Sequence, residues 1–157
     1  MIILGIDPGT ARCGYGLIEV SGQKIKFIEC GCIETNKEQS PGERLAEIYR
    51  DLKKIIKKTE PDLLAFEKIF VFRNLKTAIK IGQAQGIIML AAHQSKLPIE
   101  EFAPLQIKQA VTGYGRADKK QIQEMVKNIL HLDRAPQPDD AADGLACAIC
   151  ATNYKGG

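Results

Sequence analysis

The sequence predicts an α/β fold on a mixed five-stranded sheet, a three-stranded antiparallel meander followed by parallel strands, with helices on both faces. Three observations carry this. Three β-rich runs stand close together at the amino end, joined by short glycine-containing turns. After residue 40 the apolar positions switch to helical spacing, and strands then alternate with helices. An apolar strand that stops on an acid occurs twice, at residues 2–7 and 62–67. With 45% hydrophobic residues in 157, the chain suffices for one domain, 1–157, with a full core, and is short for two.

Residues 1–7 form a β-branched apolar run that Pro8-Gly9 ends, which leaves Asp7 at the rigid end of a buried strand. Asp and Thr also serve turns, so Asp7 and Thr10 bonding the turn backbone is the plain alternative. Residues 13–20 and 24–30 are the next two strands, joined at Ser21-Gly22. Ser40-Pro41-Gly42-Glu43 has the form of a capping box with proline at the first helical position. Leu45, Ile48, Leu52, Ile55 and Ile56 then recur at helical spacing until Pro61 closes the helix. Crossovers return the chain in the same direction, so the strand at 62–67 should run parallel to the first. Glu67 would then emerge beside Asp7 at the sheet edge where α/β folds place ligands. An ordinary strand-end acid is the alternative for Glu67.

A long helix follows at about 75–95, with Ala78, Gly82 and Gly86 four apart. Each interior glycine costs a helix about 1 kcal/mol, so the stripe predicts close approach by another element. That element is either the chain's own sheet or the same helix of a second copy. Residues 98–103 form a short edge strand, and 104–111 a short helix carrying Lys108. Residues 112–116 form a basic loop with Arg116. Asp118 caps a helix whose buried stripe is Ile122, Met125, Val126 and Ile129. Lys119 and Lys120 stand at that helix start, where the dipole disfavours cations. The placement suits a phosphate contact, solvated lysines being the alternative.

The last helix begins with Asp139, Asp140 and Asp143. Asp140 and Asp143 share a face whose other residues are Ala, Leu and Cys, so that face is packed down. The dipole favours acids in a first turn, yet an inward acid pair also asks for a counter-charge, which a bound cation would supply.

Net charge is only +3, but its distribution is uneven. Between Lys68 and Lys120 nine Lys/Arg face three acids, Glu100, Glu101 and Asp118. One surface is thus suited to a polyanion while carboxylates gather elsewhere. No apolar run reaches the roughly 18 residues of a membrane span, and the amino end has no basic flank, which predicts a soluble, cytoplasmic protein. The odd set of Cys13, Cys30, Cys32, Cys147 and Cys150 predicts reduced thiols. Cys30, Cys32, Cys147 and Cys150 could offer zinc ligands, but their apolar settings favour plain buried residues. His93 and His131 fit no partner pattern.

Four segments taken together closely resemble the RuvC family of Holliday-junction resolving endonucleases. They are Gly5-Ile6-Asp7-Pro8-Gly9-Thr10, Phe66-Glu67-Lys68-Ile69-Phe70, residues 80–86 (Lys-Ile-Gly-Gln-Ala-Gln-Gly) and residues 140–146 (Asp-Ala-Ala-Asp-Gly-Leu-Ala). Order, spacing and length match across essentially the whole chain. The resemblance implies a ribonuclease-H-like fold, a homodimer, four-way junction DNA as substrate in recombination and repair, and a branch-migration motor complex, RuvA and RuvB, as partner. It assigns metal binding and catalysis to Asp7, Glu67, Asp140 and Asp143, with two Mg2+ ions per site and Mn2+ as a substitute. Asp139 stands beside the family pair, and the Asp-Ala-Ala-Asp spacing favours Asp140. Phe70 matches the aromatic that stacks on bases at the junction centre, and Lys108 and Lys119 match two lysines near the scissile phosphate. Arg73, Lys76 and Arg116 are further DNA-binding candidates in the basic segments.

The expected chemistry is phosphodiester hydrolysis with two magnesium ions about 4 Å apart. Three rivals stand beside it. An actin-like ATPase shares the Asp-Pro-Gly-Thr turn but needs a second lobe. A YqgF-type nuclease of the same fold would act on RNA. A non-catalytic DNA-binding protein would use the acids as caps.

Overall fold

The computed structural model describes residues 1–69 and 74–153. Its strands are β1 (Ile2–Asp7), β2 (Arg12–Ser21), β3 (Lys24–Glu34), β4 (Leu63–Glu67) and β5 (Ile99–Phe102). The helices are α1 (Pro41–Thr59), α2 (Leu75–Gln94), α3 (Pro104–Thr112), α4 (Lys119–Ile129) and α5 (Asp139–Cys150), followed by a 3-10 turn at Ala151–Asn153. The strands lie in the order β3-β2-β1-β4-β5. β1, β2 and β3 pair antiparallel as the expected meander, and β4 and β5 join parallel on the other side of β1. β3 runs on to Glu34, past the expected end at Cys30, because β2 continues to offer it partners up to Arg12↔Glu34.

Strand alternation divides the core into two layers. Leu4, Ile6, Leu64 and Phe66 point to the layer beneath α1 and α2, whereas Ile3, Leu63 and Ala65 point to the layer beneath α3, α4 and α5. α1 starts on the expected Ser40–Glu43 capping box and buries Ile48, Leu52 and Ile56. Burying each of these side chains stabilises the fold by about 1.5–3 kcal/mol.

The closest packing lies between α5 and the meander. A Cβ on Gly14 would stand 1.9 Å from Asp140 O, and one on Gly5 would stand 2.0 Å from Gly144 O. Glycine at these positions lets the backbone of α5 rest directly on β1 and β2, which presses the helix's first turn against the sheet edge.

Candidate active site

Parity and register bring two of the acids together. In the parallel β1/β4 ladder, Ile3 faces Leu63, Gly5 faces Ala65 and Ile6 faces Phe66. One further step sets Asp7 beside Glu67, and alternation sends both toward α5, the side of Ile3 and Leu63. The glycine contact at Gly14 then fixes Asp140 above the same edge, with Asp143 one turn further along the helix. Thr35 Oγ1 donates to Thr10 O at 2.6 Å and ties down the turn that follows Asp7. Gln85, the one buried polar side chain among the described residues, donates from Nε2 to Glu67 O at 2.7 Å and anchors the end of β4 to α2.

Charge points to the same convergence. Burial, then the charges of Asp143, Asp140 and Glu67, push the Asp7 carboxyl up to about 7, against a smaller opposing pull from Lys119. Partial desolvation and then Asp143 raise Glu67, and Lys108 draws it back. Asp143 is raised by burial first and by Asp140 and Asp139, while its bond to Lys119 opposes the rise. The charge that bears on Asp7 from the start of α5 is that of Asp140, whereas the Asp139 side chain is 54% exposed.

The acids of α5 find their counter-charges within the chain. Arg12 Nε lies 3.1 Å from Asp140 Oδ2, and Lys119 Nζ lies 3.1 Å from Asp143 Oδ2 and 3.8 Å from Asp139 Oδ2. The ammonium expected to await a phosphate at the start of α4 is therefore engaged with the acid cluster. Burial works against its charge, but the bond to Asp143 and the neighbouring acids outweigh it and raise its pKa. Glu67, Lys108 and Asp143 line one cleft of about 210 Å3, walled by Ile107 and Ile122.

Among the other DNA-binding candidates, Lys76 lines a second cleft of about 450 Å3 with Arg44 and Lys80, beside Thr10. Arg44 carries no motif that would single it out, and Lys80 stands out only as the first residue of the 80–86 segment. Arg116 is exposed on the loop after α3. Phe70 and Arg73 lie outside the described residues. Cys13, Cys147 and Cys150 are buried and all five thiols are free. Cys147 lies in the α5-side core, where burial and then the charges of Asp7 and Glu67 push its thiol up from the ordinary value.

Among the described residues, no three His, Cys, Asp or Glu side chains are gathered tightly enough to hold an ion as they stand. Donor chemistry nevertheless fits a hard divalent cation. The four acids are all oxygen donors, and burial together with the charges of Asp143, Asp140 and Glu67 pushes the Asp7 carboxyl up to about 7.

A mixed sheet of this order, with acids at the carboxyl ends of β1 and β4 and in the first turn of the helix laid across them, defines the ribonuclease-H-like fold class. The family model described as crossover junction endodeoxyribonuclease RuvC matches residues 3–151, and the chain belongs to the RuvC family. It is 51% identical over 154 residues to the crossover junction endodeoxyribonuclease RuvC of Pelotomaculum thermopropionicum, covering 98% of this chain and 94% of that one. It is 52% identical over 153 residues to the protein of the same name from Halothermothrix orenii, covering 98% and 93%. Among solved structures it is similar to Thermus thermophilus RuvC in complex with Holliday junction substrate. There the TM-score is 0.90 and the identity 33%, over 96% of this chain and 92% of that one.

Proposed function

We propose that this chain is a structure-selective endodeoxyribonuclease that resolves Holliday junctions by paired nicks. One arrangement carries the reading: Asp7 and Glu67 end adjacent parallel strands, and the first turn of α5, with Asp140 and Asp143, is packed across the same sheet edge. These four would hold divalent metal, two magnesium ions with manganese as a substitute. When bound, the metal supplies Lewis-acid chemistry, activating the attacking water and stabilising the departing 3′ oxygen. Lys108 and Lys119 flank the acids, so a phosphate seated in the cleft meets two ammonium groups that orient it and offset its charge. Arg44, Lys76 and Lys80 offer a path for the DNA backbone leading away from Thr10.

The test is nicking of a synthetic four-way junction. Cleavage in Mg2+, none in EDTA, and none of a structured RNA of the same branching is the expected result. Cleavage that persists in EDTA would exclude the metal chemistry.

The same reading includes a homodimer built on α2. Among the described residues, a Cβ on Gly86 would have nothing within 4 Å and one on Gly82 would meet only Ile69, so the glycine stripe does not face the chain's own sheet. Leu75, Ile79, Met89 and Leu90 are exposed along that helix, 43–67% open. An apolar stripe interrupted by glycines suits close approach by the same helix of a second copy, which would set two sites on symmetry-related strands of a four-way junction. Met89→Glu should leave the fold within about 0.5 kcal/mol, because the side chain is exposed. Sedimentation should show it monomeric at micromolar concentrations where the parent protein is a dimer.

A further inference from the structure

Arg12 begins β2 directly opposite Glu34 of β3, and it matches no acid-cluster residue that the sequence singled out. Its position follows from alternation: Arg12, Gly14 and Gly16 share one face of β2, the face on which α5 lies. The guanidinium therefore reaches the start of α5. It bridges two acids, with Nε 3.1 Å from Asp140 Oδ2 and Nη2 3.4 Å from Glu34 Oε1. The two acids differ in setting. The Asp140 side chain is 25% exposed at the edge of the cluster, and that of Glu34 is 65% exposed outside it.

We infer that Arg12 is a built-in counter-ion that competes with the entering cation for Asp140 and is retained by Glu34 once the cation takes that oxygen. The inference rests on the metal reading above. Its physical basis is simple: a carboxylate oxygen that accepts from a guanidinium has less electron density to offer a cation, and a fixed positive charge beside the site repels one. Because the Arg12 side chain is 47% exposed, water screens the pair on the arginine's side, the competition is moderate and the arginine can leave. Glu34 gives it a second partner on the side away from the cluster, so the guanidinium need not be stranded when it lets go. This fits a site that stays neutralised when empty and becomes available when a divalent ion is present.

Calorimetric titration of the full chain with Mn2+, at pH 8 and without DNA, tests the inference independently of cleavage. Arg12→Gln should bind Mn2+ about three- to tenfold more tightly than the parent protein. Lys120→Gln, which removes one exposed positive charge from the start of α4 without touching Asp140, serves as the charge control and should change affinity less than twofold. Glu34→Gln should weaken binding in the parent background and have a smaller effect in the Arg12→Gln background, because its influence passes through the arginine. If Arg12→Gln binds no more tightly than Lys120→Gln, the inference is overturned while the metal reading stands. If none of the proteins binds Mn2+, the metal reading falls and this inference falls with it.

Discussion

Asp7→Asn should abolish junction cleavage, by a factor of about 10^3 or more, while leaving the fold and junction binding intact. Asn keeps the shape of Asp but supplies no negative charge, and Asp7 is the acid on which the charges of the other three bear. The same substitution has an opposite effect on stability. Asp7 has its ordinary value of 3.8 in the unfolded chain and about 7 in the metal-free fold. A raised folded value means that the protonated form is the one the fold accommodates. Its contribution is therefore fully present below about pH 4 and is lost as pH rises through about 7. A rise from 3.8 to about 7 corresponds to roughly 4 kcal/mol, an upper figure because Glu67 and Asp143 titrate with it. In EDTA, denaturant melts should show the parent protein losing stability between about pH 4 and 7. Asp7→Asn should lose less over that range and be the more stable protein at pH 8. Equal stability at pH 8 would mean that Asp7 is not crowded by the other acids.

Gly14→Ala should be as damaging to the fold as Asp7→Asn is to the chemistry. The new methyl would sit 1.9 Å from Asp140 O and 2.2 Å from its carbonyl carbon, both main-chain atoms that cannot turn aside. Either α5 lifts from the sheet or β2 bends. The expected loss is about 3 kcal/mol or more, and any protein that still folds should bind metal poorly because Asp140 has moved. Gly5→Ala should behave alike, with its methyl 2.0 Å from Gly144 O and 2.5 Å from Ala148 N. Gly42→Ala, in the first turn of α1 with nothing within 4 Å, is the control and should be neutral or slightly stabilising. Urea denaturation of the three variants separates a steric requirement from a general cost of replacing glycine.

The legible parts of this fold were those written in local chemistry. The α1 capping box, the switch from strand to helical spacing and the two acid-ended strands each depend on neighbouring residues, and each formed where expected. The common edge of Asp7 and Glu67 was legible from crossover direction once the two strands were taken as neighbours, and the β1/β4 ladder supplies that adjacency. Arg12 was not, since its reach to Asp140 depends on the register of β2 and on how closely α5 approaches, neither of which leaves a local signal. The glycines at 5 and 14 read as ordinary strand residues for the same reason: what forbids a side chain there is a helix about 130 residues away in sequence. Gln85 lay within a recognised segment, yet its role in holding Glu67 emerges only when α2 is laid on the sheet. Arg12 and Lys119, which stand against Asp140 and Asp143, were not legible as partners of these acids, because a carboxylate pair recruits whatever positive group the packing brings near.

The proposed function requires that Asp7, Glu67, Asp140 and Asp143 form one divalent-cation site. Anomalous scattering from crystals grown in Mn2+ tests it most directly. Manganese peaks bounded by these four carboxylates, with Arg12 withdrawn from Asp140, are the expected result. Peaks elsewhere, or a cluster left empty while manganese binds at other acids, would contradict it.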